Sequence, residues 1–389
     1  MKTSLALARR RLVLATAASG ALAALPTGAR AARAESLDVF IRAQMRTAGI
    51  PGLAVAQVRD GRTTLARGYG FADLARRRPV TPDSMFHIAS VTKPVTATTV
   101  MQLVEQGRMR LDDPIDPWMD FPLRHPRHAE VPITFRHLLM HMSSVSDERY
   151  VEIDFRTRGA DSKVSIETLL RDCLASDGRA FAADKTFGPD APGSRWDYSN
   201  LGYALLGRLA TRIGGEDMRQ QAIERIFAPL GMRHVSWTIA GTPERLRVTP
   251  YDLVDGRLSP IGAAGFPDWS AGMLRASVAD FAPFIAASAN DGKCGDARIC
   301  SPTTMREMLV LQQPPGLPAW LTAQGLGWSS APLGDRSLIE HWGGDLGVFT
   351  AVYIDTAARS GVAVFTNSTA TRAGRDAVKA IAARLLMPG

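Results

Sequence analysis

A serine and a lysine three positions apart, Ser90 and Lys93, stand where a helical pattern begins. Residues three apart on a helix share a face, so this spacing predicts that the hydroxyl and the amine reach one cleft. A serine hydroxyl becomes a good nucleophile when a base takes its proton, and a lysine whose pKa is lowered by burial can be that base. The start of a helix adds free backbone N–H groups for a developing oxyanion. The pair predicts acyl transfer through serine, although a helix N-cap followed by a surface lysine also fits.

A second segment, residues 192–200, is a loop that leads into a predicted helix. Such a loop can aim Tyr198 and Asn200 into a cleft, where the phenol is a candidate proton shuttle and the amide can fix a carbonyl or Lys93. The alternative is that Ser199 or Asn200 only caps the helix.

A third segment, residues 341–344, reads His-Trp-Gly-Gly at the edge of a predicted strand. Glycines at such an edge allow a substrate to approach the backbone closely, which makes Gly343 and Gly344 candidate binding residues. An ordinary strand followed by a turn is the alternative interpretation.

Together, in this order, the three segments resemble the serine β-lactamase and penicillin-recognising family. The match is S-x-x-K at Ser90 and Lys93, Y-x-N at Tyr198 and Asn200, and His341-Trp342-Gly343 where the family has K-T-G. More narrowly, the chain resembles the class C β-lactamase-like serine hydrolases, which include D,D-peptidases and esterases. The resemblance runs from about residue 37 to residue 386.

The resemblance implies a mechanism and no cofactor. Ser90 would attack a carbonyl while Lys93 and Tyr198 manage its proton, with the choice of base left open. The backbone N–H groups of Ser90 and Gly344 would hold the oxyanion of the tetrahedral intermediate. Asn200, His341, Gly343 and Gly344 would contact substrate. No metal is expected, because His137 and His141 lack the Glu between them and the third ligand that a zinc site needs.

One departure from the family concerns the substrate. A lysine in the third motif would offer a permanent cation to a substrate carboxylate, whereas His341 is mostly neutral near pH 7. We also expect Trp342 to add apolar bulk at the rim of the site. Both changes favour a neutral ester or amide, although some D,D-peptidases of the family also have His there. We therefore rank a carboxylesterase first, then a D,D-peptidase or D-amino-acid amidase, then a β-lactamase; a non-catalytic sensor of β-lactams or peptidoglycan fragments is the rival.

The N-terminus predicts export. Arg9, Arg10 and Arg11 precede fourteen apolar or small residues, 12–25, and two small-x-small sites, which is the layout of a secretory signal peptide. Adjacent arginines resemble a twin-arginine signal, with an ordinary Sec signal as the alternative. We expect residues 1–34 to be this signal peptide and the mature protein to be periplasmic or secreted. Removing the leader lowers the formal net charge from +8 to +2, so a nucleic-acid partner is not favoured.

The remaining chain predicts an α/β (α+β) fold as a single domain of two lobes, residues 35–389. Both chain ends carry strand patterns beside a helix, at residues 37–69 and 338–386, while the middle is mostly helical in pattern. The economical architecture is an antiparallel sheet built from both ends, flanked by terminal helices, with a mostly helical second lobe and the site between. No later segment is apolar enough to span a membrane, and the sequence does not predict the oligomeric state. Cys294 and Cys300 are candidates for a small disulfide.

Overall fold

The structure is a computed structural model that describes residues 36–387 of the chain. The predicted signal peptide, residues 1–34, lies outside the described residues. The α-helices are α1 (Leu37–Ala48), α2 (Thr92–Glu105), α3 (Phe135–Leu139), α4 (Glu148–Ile153), α5 (Ile166–Leu174), α6 (Ala183–Thr186), α7 (Asn200–Gly214), α8 (Met218–Ala222), α9 (Trp269–Gly272), α10 (Val278–Ala289), α11 (Pro302–Met308) and α12 (Arg372–Leu386). The strands are β1 (Gly52–Arg59), β2 (Arg62–Asp73), β3 (Arg78–Pro79), β4 (Phe86–His87), β5 (Thr157–Arg158), β6 (Val235–Ser236), β7 (Tyr251–Val254), β8 (Arg257–Pro260), β9 (Ala264–Gly265), β10 (Arg275–Ala276), β11 (Lys293–Cys294), β12 (Ala297–Arg298), β13 (Ala323–Gln324), β14 (Ser329–Leu333), β15 (Arg336–Asp345), β16 (Val348–Asp355) and β17 (Ser360–Thr366).

The two ends of the described chain build one antiparallel sheet, as predicted. Within residues 36–387 its strand order is β13-β14-β15-β16-β17-β1-β2-β3, so that β1 pairs with β17 and Val55 lies opposite Val364. The β1–β2 hairpin turns at Asp60 and Gly61, whose φ angles of 48° and 70° are those of a tight turn that glycine favours. The fold class predicted from the sequence is confirmed.

Each face of the sheet has its own hydrophobic core. Alternate residues of β1 point to opposite faces, so Leu53 and Val55 pack with α1 and α12 while Ala54 and Ala56 belong to the larger core with α10. The larger core continues into the helical lobe, where α2 packs against α7 and α9. This packing of α2, α7 and α9 beside the sheet sets the position of the site.

Helix α12 begins with a capped turn, in which the Thr371 hydroxyl accepts from the Gly374 N–H at 2.9 Å. Two local expectations differ from the structure. Ser90 lies in a 3₁₀ turn (Ala89–Val91) just before α2, not within the α-helix itself. Cys294 and Cys300 are both free thiols. No helix among residues 36–387 combines the length and hydropathy that crossing a bilayer requires.

Candidate active site

Ser90 stands on a strained turn at the start of α2. The preceding residue, Ala89, has φ of 46°, a conformation that residues other than glycine rarely adopt and that is often found at functional sites. Thr92 holds the turn, since its hydroxyl donates to the Ala89 carbonyl at 2.7 Å and accepts from the Leu274 N–H at 3.1 Å. Ser90 itself is half-buried, so its hydroxyl is presented to a cleft by a turn that the surrounding structure fixes.

Lys93 lies one turn further along and is fully buried. Its Nζ lies 3.2 Å from Ser90 Oγ, 2.7 Å from Asn200 Oδ1 and 2.8 Å from the Ala271 carbonyl. Burial lowers the pKa of Lys93 to about 7, although the nearby carboxylates of Asp268 and Asp147 act in the opposite direction. Near neutral pH a large fraction of Lys93 is therefore unprotonated and able to accept a proton from Ser90.

Tyr198 reaches the same oxygen from the loop that precedes α7. Its Oη lies 2.8 Å from Ser90 Oγ, and its ring stacks on His141 with centroids 4.3 Å apart. Burial raises the pKa of Tyr198 above its usual value, with the hydrogen bond to Ser90 acting in the opposite direction. Tyr198 is consequently a phenol rather than a phenolate at neutral pH, which suits a proton donor or relay.

Asn200 is the first residue of α7 and is held by Asp147. Asp147 Oδ2 accepts from the Asn200 N–H at 2.6 Å and from Asn200 Nδ2 at 2.8 Å. Its Oδ1 accepts from the Leu201 N–H at 3.0 Å and from the Ser199 hydroxyl at 3.1 Å, while Ser199 caps α7. The carboxylate thereby orients the Asn200 side-chain oxygen towards Lys93.

Strand β15 brings its glycines against the Ser90 turn. A Cβ at Gly343 would overlap the Ile88 carbonyl and the Thr350 hydroxyl and would lie 3.1 Å from the Ser90 nitrogen. The Thr350 hydroxyl also donates to the Ile88 carbonyl at 2.8 Å, which ties the turn to the sheet. Gly343 is thus required for close approach, and Gly344 follows on the wall of the Ser90 cleft.

His341 and Trp342 occupy opposite faces of β15. His341 lies on the Gly343 face, is buried, and has its Nδ1 2.8 Å from the Trp342 carbonyl oxygen. Burial, with a contribution from Lys93, lowers the pKa of His341 to about 3, so the imidazole is neutral. The Trp342 Nε1 donates to Tyr353 Oη at 3.1 Å, and the ring stacks on Trp320, with Lys379 Nζ 4.9 Å from its centroid. The expectation that Trp342 lines the rim is wrong, because strand alternation directs it towards the α12 side.

The cleft has a volume of about 150 Å³. Its lining consists of His87, Ala89, Ser90, Tyr150, Asn200, Phe266, Asp268, Gly272, Gly344 and Asp345. Burial raises the pKa of Asp268 to about 6, and its Oδ1 accepts from Tyr150 Oη at 2.8 Å. The sequence did not predict Asp147, Tyr150 or Asp268, because isolated polar residues carry no motif that marks them.

His141 is a further site residue whose role the sequence did not reveal. It does not share a helix face with His137, because α3 ends at Leu139 and His141 adopts a left-handed φ of 58° beyond it. Its Nδ1 accepts from the Ser199 N–H at 3.1 Å, while His137 belongs to the capping box of α3 with Thr134. Burial lowers the pKa of His141 well below its usual value, so this ring supports Tyr198 as a neutral group.

Comparison with known proteins places these features in context. The family model described as "Beta-lactamase" matches residues 37–386. Esterase EstB of Burkholderia gladioli is 33% identical over 245 residues, which cover 59% of this chain and 57% of EstB. Protein flp of Staphylococcus aureus is 26% identical over 220 residues, or 56% of this chain and 41% of flp. The chain thus spans about half the length of the curated relatives it matches.

Solved structures match over more of the chain. The D-amino acid amidase from Ochrobactrum anthropi SV3, complexed with D-phenylalanine, superposes with a TM-score of 0.71 at 25% identity. The match covers 90% of this chain and 98% of the amidase chain.

Proposed function

The chain belongs to the beta-lactamase family, and on this basis we propose that it is a serine hydrolase that cleaves an ester or amide through a covalent acyl-enzyme on Ser90. The observation that carries the proposal is the convergence of two groups on Ser90 Oγ, with Lys93 Nζ at 3.2 Å and Tyr198 Oη at 2.8 Å. Both distances lie within reach of direct proton transfer.

In the first step Ser90 Oγ attacks the substrate carbonyl and forms a C–O bond. Unprotonated Lys93 accepts the serine proton, because its pKa is about 7 while that of Tyr198 is raised. Asn200 Oδ1 and the Ala271 carbonyl then stabilise the ammonium through hydrogen bonds at 2.7 and 2.8 Å.

The tetrahedral intermediate needs donors for its oxyanion. We assign these to the backbone N–H groups of Ser90 and Gly344, which both line the cleft. Gly343 supports this assignment because it allows β15 to lie against the Ser90 turn. As the C–O or C–N bond to the leaving group breaks, Tyr198 donates its proton to the leaving atom and is reprotonated from Lys93. Water then cleaves the acyl-enzyme with Tyr198 assisting.

For the substrate we place an ester first. EstB is named an esterase, and the neutral His341 removes the cation that K-T-G relatives place in the third motif. A D-amino-acid amide or D,D-peptide is the second candidate, supported by the likeness to the D-amino acid amidase. β-Lactam hydrolysis ranks third, and a sensor that is acylated without turnover is the non-catalytic alternative.

The proposal is tested by comparing wild type with Ser90→Ala. Each protein is reacted with a fluorophosphonate probe and assayed on p-nitrophenyl esters, nitrocefin and D-alanyl peptides. Ser360→Ala, at the start of β17, is the matched control. We expect labelling and hydrolysis in wild type and in the control, and neither in Ser90→Ala. Labelling that persists in Ser90→Ala would exclude Ser90 as the nucleophile, and stoichiometric acylation without turnover would favour the sensor.

We also propose that the protein is exported. The proposal rests on the arginines and the apolar stretch of residues 9–25 alone. N-terminal sequencing of the protein recovered from the periplasm or medium should begin near Glu35, and an intact Met1 on such material would contradict cleavage.

A further inference from the structure

A second cavity, of about 70 Å³, adjoins the Ser90 cleft and has a basic wall. Among the described residues that line it, one is acidic, Asp345, and four are arginines: Arg156, Arg158, Arg247 and Arg275. Since one water-sized group needs about 10–15 Å³ of cavity volume, the cavity has room for roughly five heavy atoms. It is therefore suited to the end of a ligand rather than to a whole ring system.

Arg275 is the buried charge of this cavity. It is 2% exposed, and its two terminal nitrogens donate to backbone carbonyls, those of Met273 at 2.9 Å and Ala264 at 3.2 Å. No carboxylate among residues 36–387 lies within ion-pair distance of it. Burial lowers the pKa of Arg275 to about 10, and it remains a cation at neutral pH. Asp161 and Asp345 favour its charged form only through longer-range attraction. A buried guanidinium without a directly paired carboxylate is unfavourable, so an anion in the cavity would be stabilised.

Arg247 adds a second incomplete guanidinium. One of its terminal nitrogens donates to the carbonyls of Ile239 and Thr242 at 3.2 and 2.9 Å, but its buried Nε has no hydrogen-bond partner among the described residues. The single acid of the lining, Asp345, lies 3.9 Å from Arg156, which also pairs with Asp154 at 2.5 Å. Because these two carboxylates face four arginines, the cavity retains an excess of positive charge.

The cavity shares part of its lining with the catalytic cleft. His87 and Asp345 line both, and Arg275 on β10 is the direct cross-strand partner of His87 on β4, three residues before Ser90. Burial, with a contribution from Arg275, lowers the pKa of His87 to about 3. His87 is therefore neutral and adds no charge between Ser90 and the arginines.

The proposed reaction would direct the acyl side of the substrate towards this cavity. In the proposed reaction the leaving group sits beside Tyr198, which lies on neither lining. The acyl group is left to follow the cleft past Gly344 and Asp345. Apolar residues of the cavity, among them Phe86, Ile261 and Val348, can pack against methylene groups on the way.

We propose that the cavity of Arg247 and Arg275 binds a carboxylate at the far end of the substrate's acyl group, so that the substrate is an ester or amide of a short dicarboxylic acid. This inference rests on the proposed function, since it assumes acyl transfer to Ser90. It places the cation at the acyl end of the site, whereas the neutral His341 leaves the third motif without one.

The test compares two chromogenic esters, the 4-nitrophenyl half-ester of adipic acid and the same compound with its free carboxylate methylated. We expect wild type to have a kcat/KM about tenfold higher for the half-ester, as one charge-assisted hydrogen bond allows. Arg275→Gln and Arg247→Gln should each remove most of this preference and change kcat/KM for the methylated ester by less than about threefold. Arg336→Gln, at the far end of β15 and paired with Asp355, is the matched control and should keep the preference.

Equal kcat/KM values in wild type, or a preference that survives in both variants, would overturn the inference. Fluorophosphonate labelling of the same preparations separates the two proposals, because loss of labelling and of hydrolysis of both esters counts against the function itself. If Arg275→Gln does not fold, or if neither ester turns over, competition against labelling of wild type decides. Monomethyl adipate should then protect Ser90 at about tenfold lower concentration than methyl hexanoate, and equal protection would refute the carboxylate subsite.

Discussion

Asp147 holds Asn200 by two bonds to one carboxylate oxygen, from the backbone N–H at 2.6 Å and from the side-chain amide at 2.8 Å. The residues are 53 positions apart, and the contact fixes the start of α7 against the loop after α3. Through it the Asn200 Oδ1 is aimed at Lys93, so in the proposed mechanism Asp147 acts through another residue. We expect Asp147 to be a positioning residue that does not touch substrate, so its replacement should alter catalysis indirectly.

Asp147→Asn should lower kcat/KM by about tenfold to a hundredfold, because an amide cannot satisfy all the donors that the carboxylate accepts from. The Asp147 charge also favours the protonated form of Lys93. Its removal should therefore move the acidic limb of the pH–rate profile to lower pH, an effect that a purely structural role would not produce. Asp120→Asn, which removes an exposed carboxylate paired with Arg208, is the control and should change neither quantity.

In the proposed mechanism Lys93 sets the pH dependence of acylation. Since its pKa is about 7 and the unprotonated amine is the acceptor, the acylation rate should fall as pH decreases through about 7. Asp268→Asn removes the carboxylate that most favours the ammonium form, so this limb should shift to lower pH. Stopped-flow acylation between pH 5 and 9 measures the limb, and a flat profile there would rule out this role for Lys93.

Tyr198→Phe keeps the ring that stacks on His141 and removes the hydroxyl 2.8 Å from Ser90 Oγ. Because a positioned proton donor contributes about 10²- to 10⁴-fold, kcat should fall by that order while the protein remains folded. Tyr353→Phe, which removes a buried hydroxyl on the other face of β15, is the control. Unchanged turnover in Tyr198→Phe would exclude the phenol from proton transfer.

The buried carboxyl group of Glu340 should make the stability of the protein depend on pH. It is 1% exposed, one oxygen accepts from the Ser329 hydroxyl and the other has no partner among the described residues, and burial raises its pKa to about 7 from 4.5. Between these two values the unfolded chain ionises while the folded protein retains the proton. This contribution to stability is therefore complete below pH 4.5 and is lost as pH rises to about 7, by roughly 3 kcal/mol.

Urea denaturation at pH 4.5, 6 and 8 of wild type and Glu340→Gln measures this effect. The free energy of unfolding of Glu340→Gln relative to wild type should increase with pH. Glu244→Gln, which replaces an exposed carboxylate paired with Arg76, is the control. A difference for Glu340→Gln that does not vary with pH would refute the assignment. The fall in acylation rate near pH 7 should persist in Glu340→Gln. That result would assign the fall to Lys93 rather than to Glu340.

The sequence alone predicted the antiparallel sheet with its terminal helices and the pairing of Ser90 with Lys93. Helix and strand periodicity depend on neighbours in the chain, so the strands and helices of the two chain ends and the mostly helical middle were predicted. The approach of Lys93 to Ser90 is local in the same sense, because three positions at the start of a helix bring the side chains onto one face.

The tertiary structure decided everything that depends on distant segments. Asp147, His141 and Asp268 reach the site only because α7, α9 and the loop after α3 pack around α2, and no short pattern encodes that packing. The face of β15 that carries Trp342 was undetermined for a related reason: helices cover both sides of the sheet, so apolar residues occur on both faces and alternation does not reveal which one meets Ser90. Arg275 is likewise an ordinary arginine in the sequence, and it becomes a buried cation beside the site only through its pairing with His87.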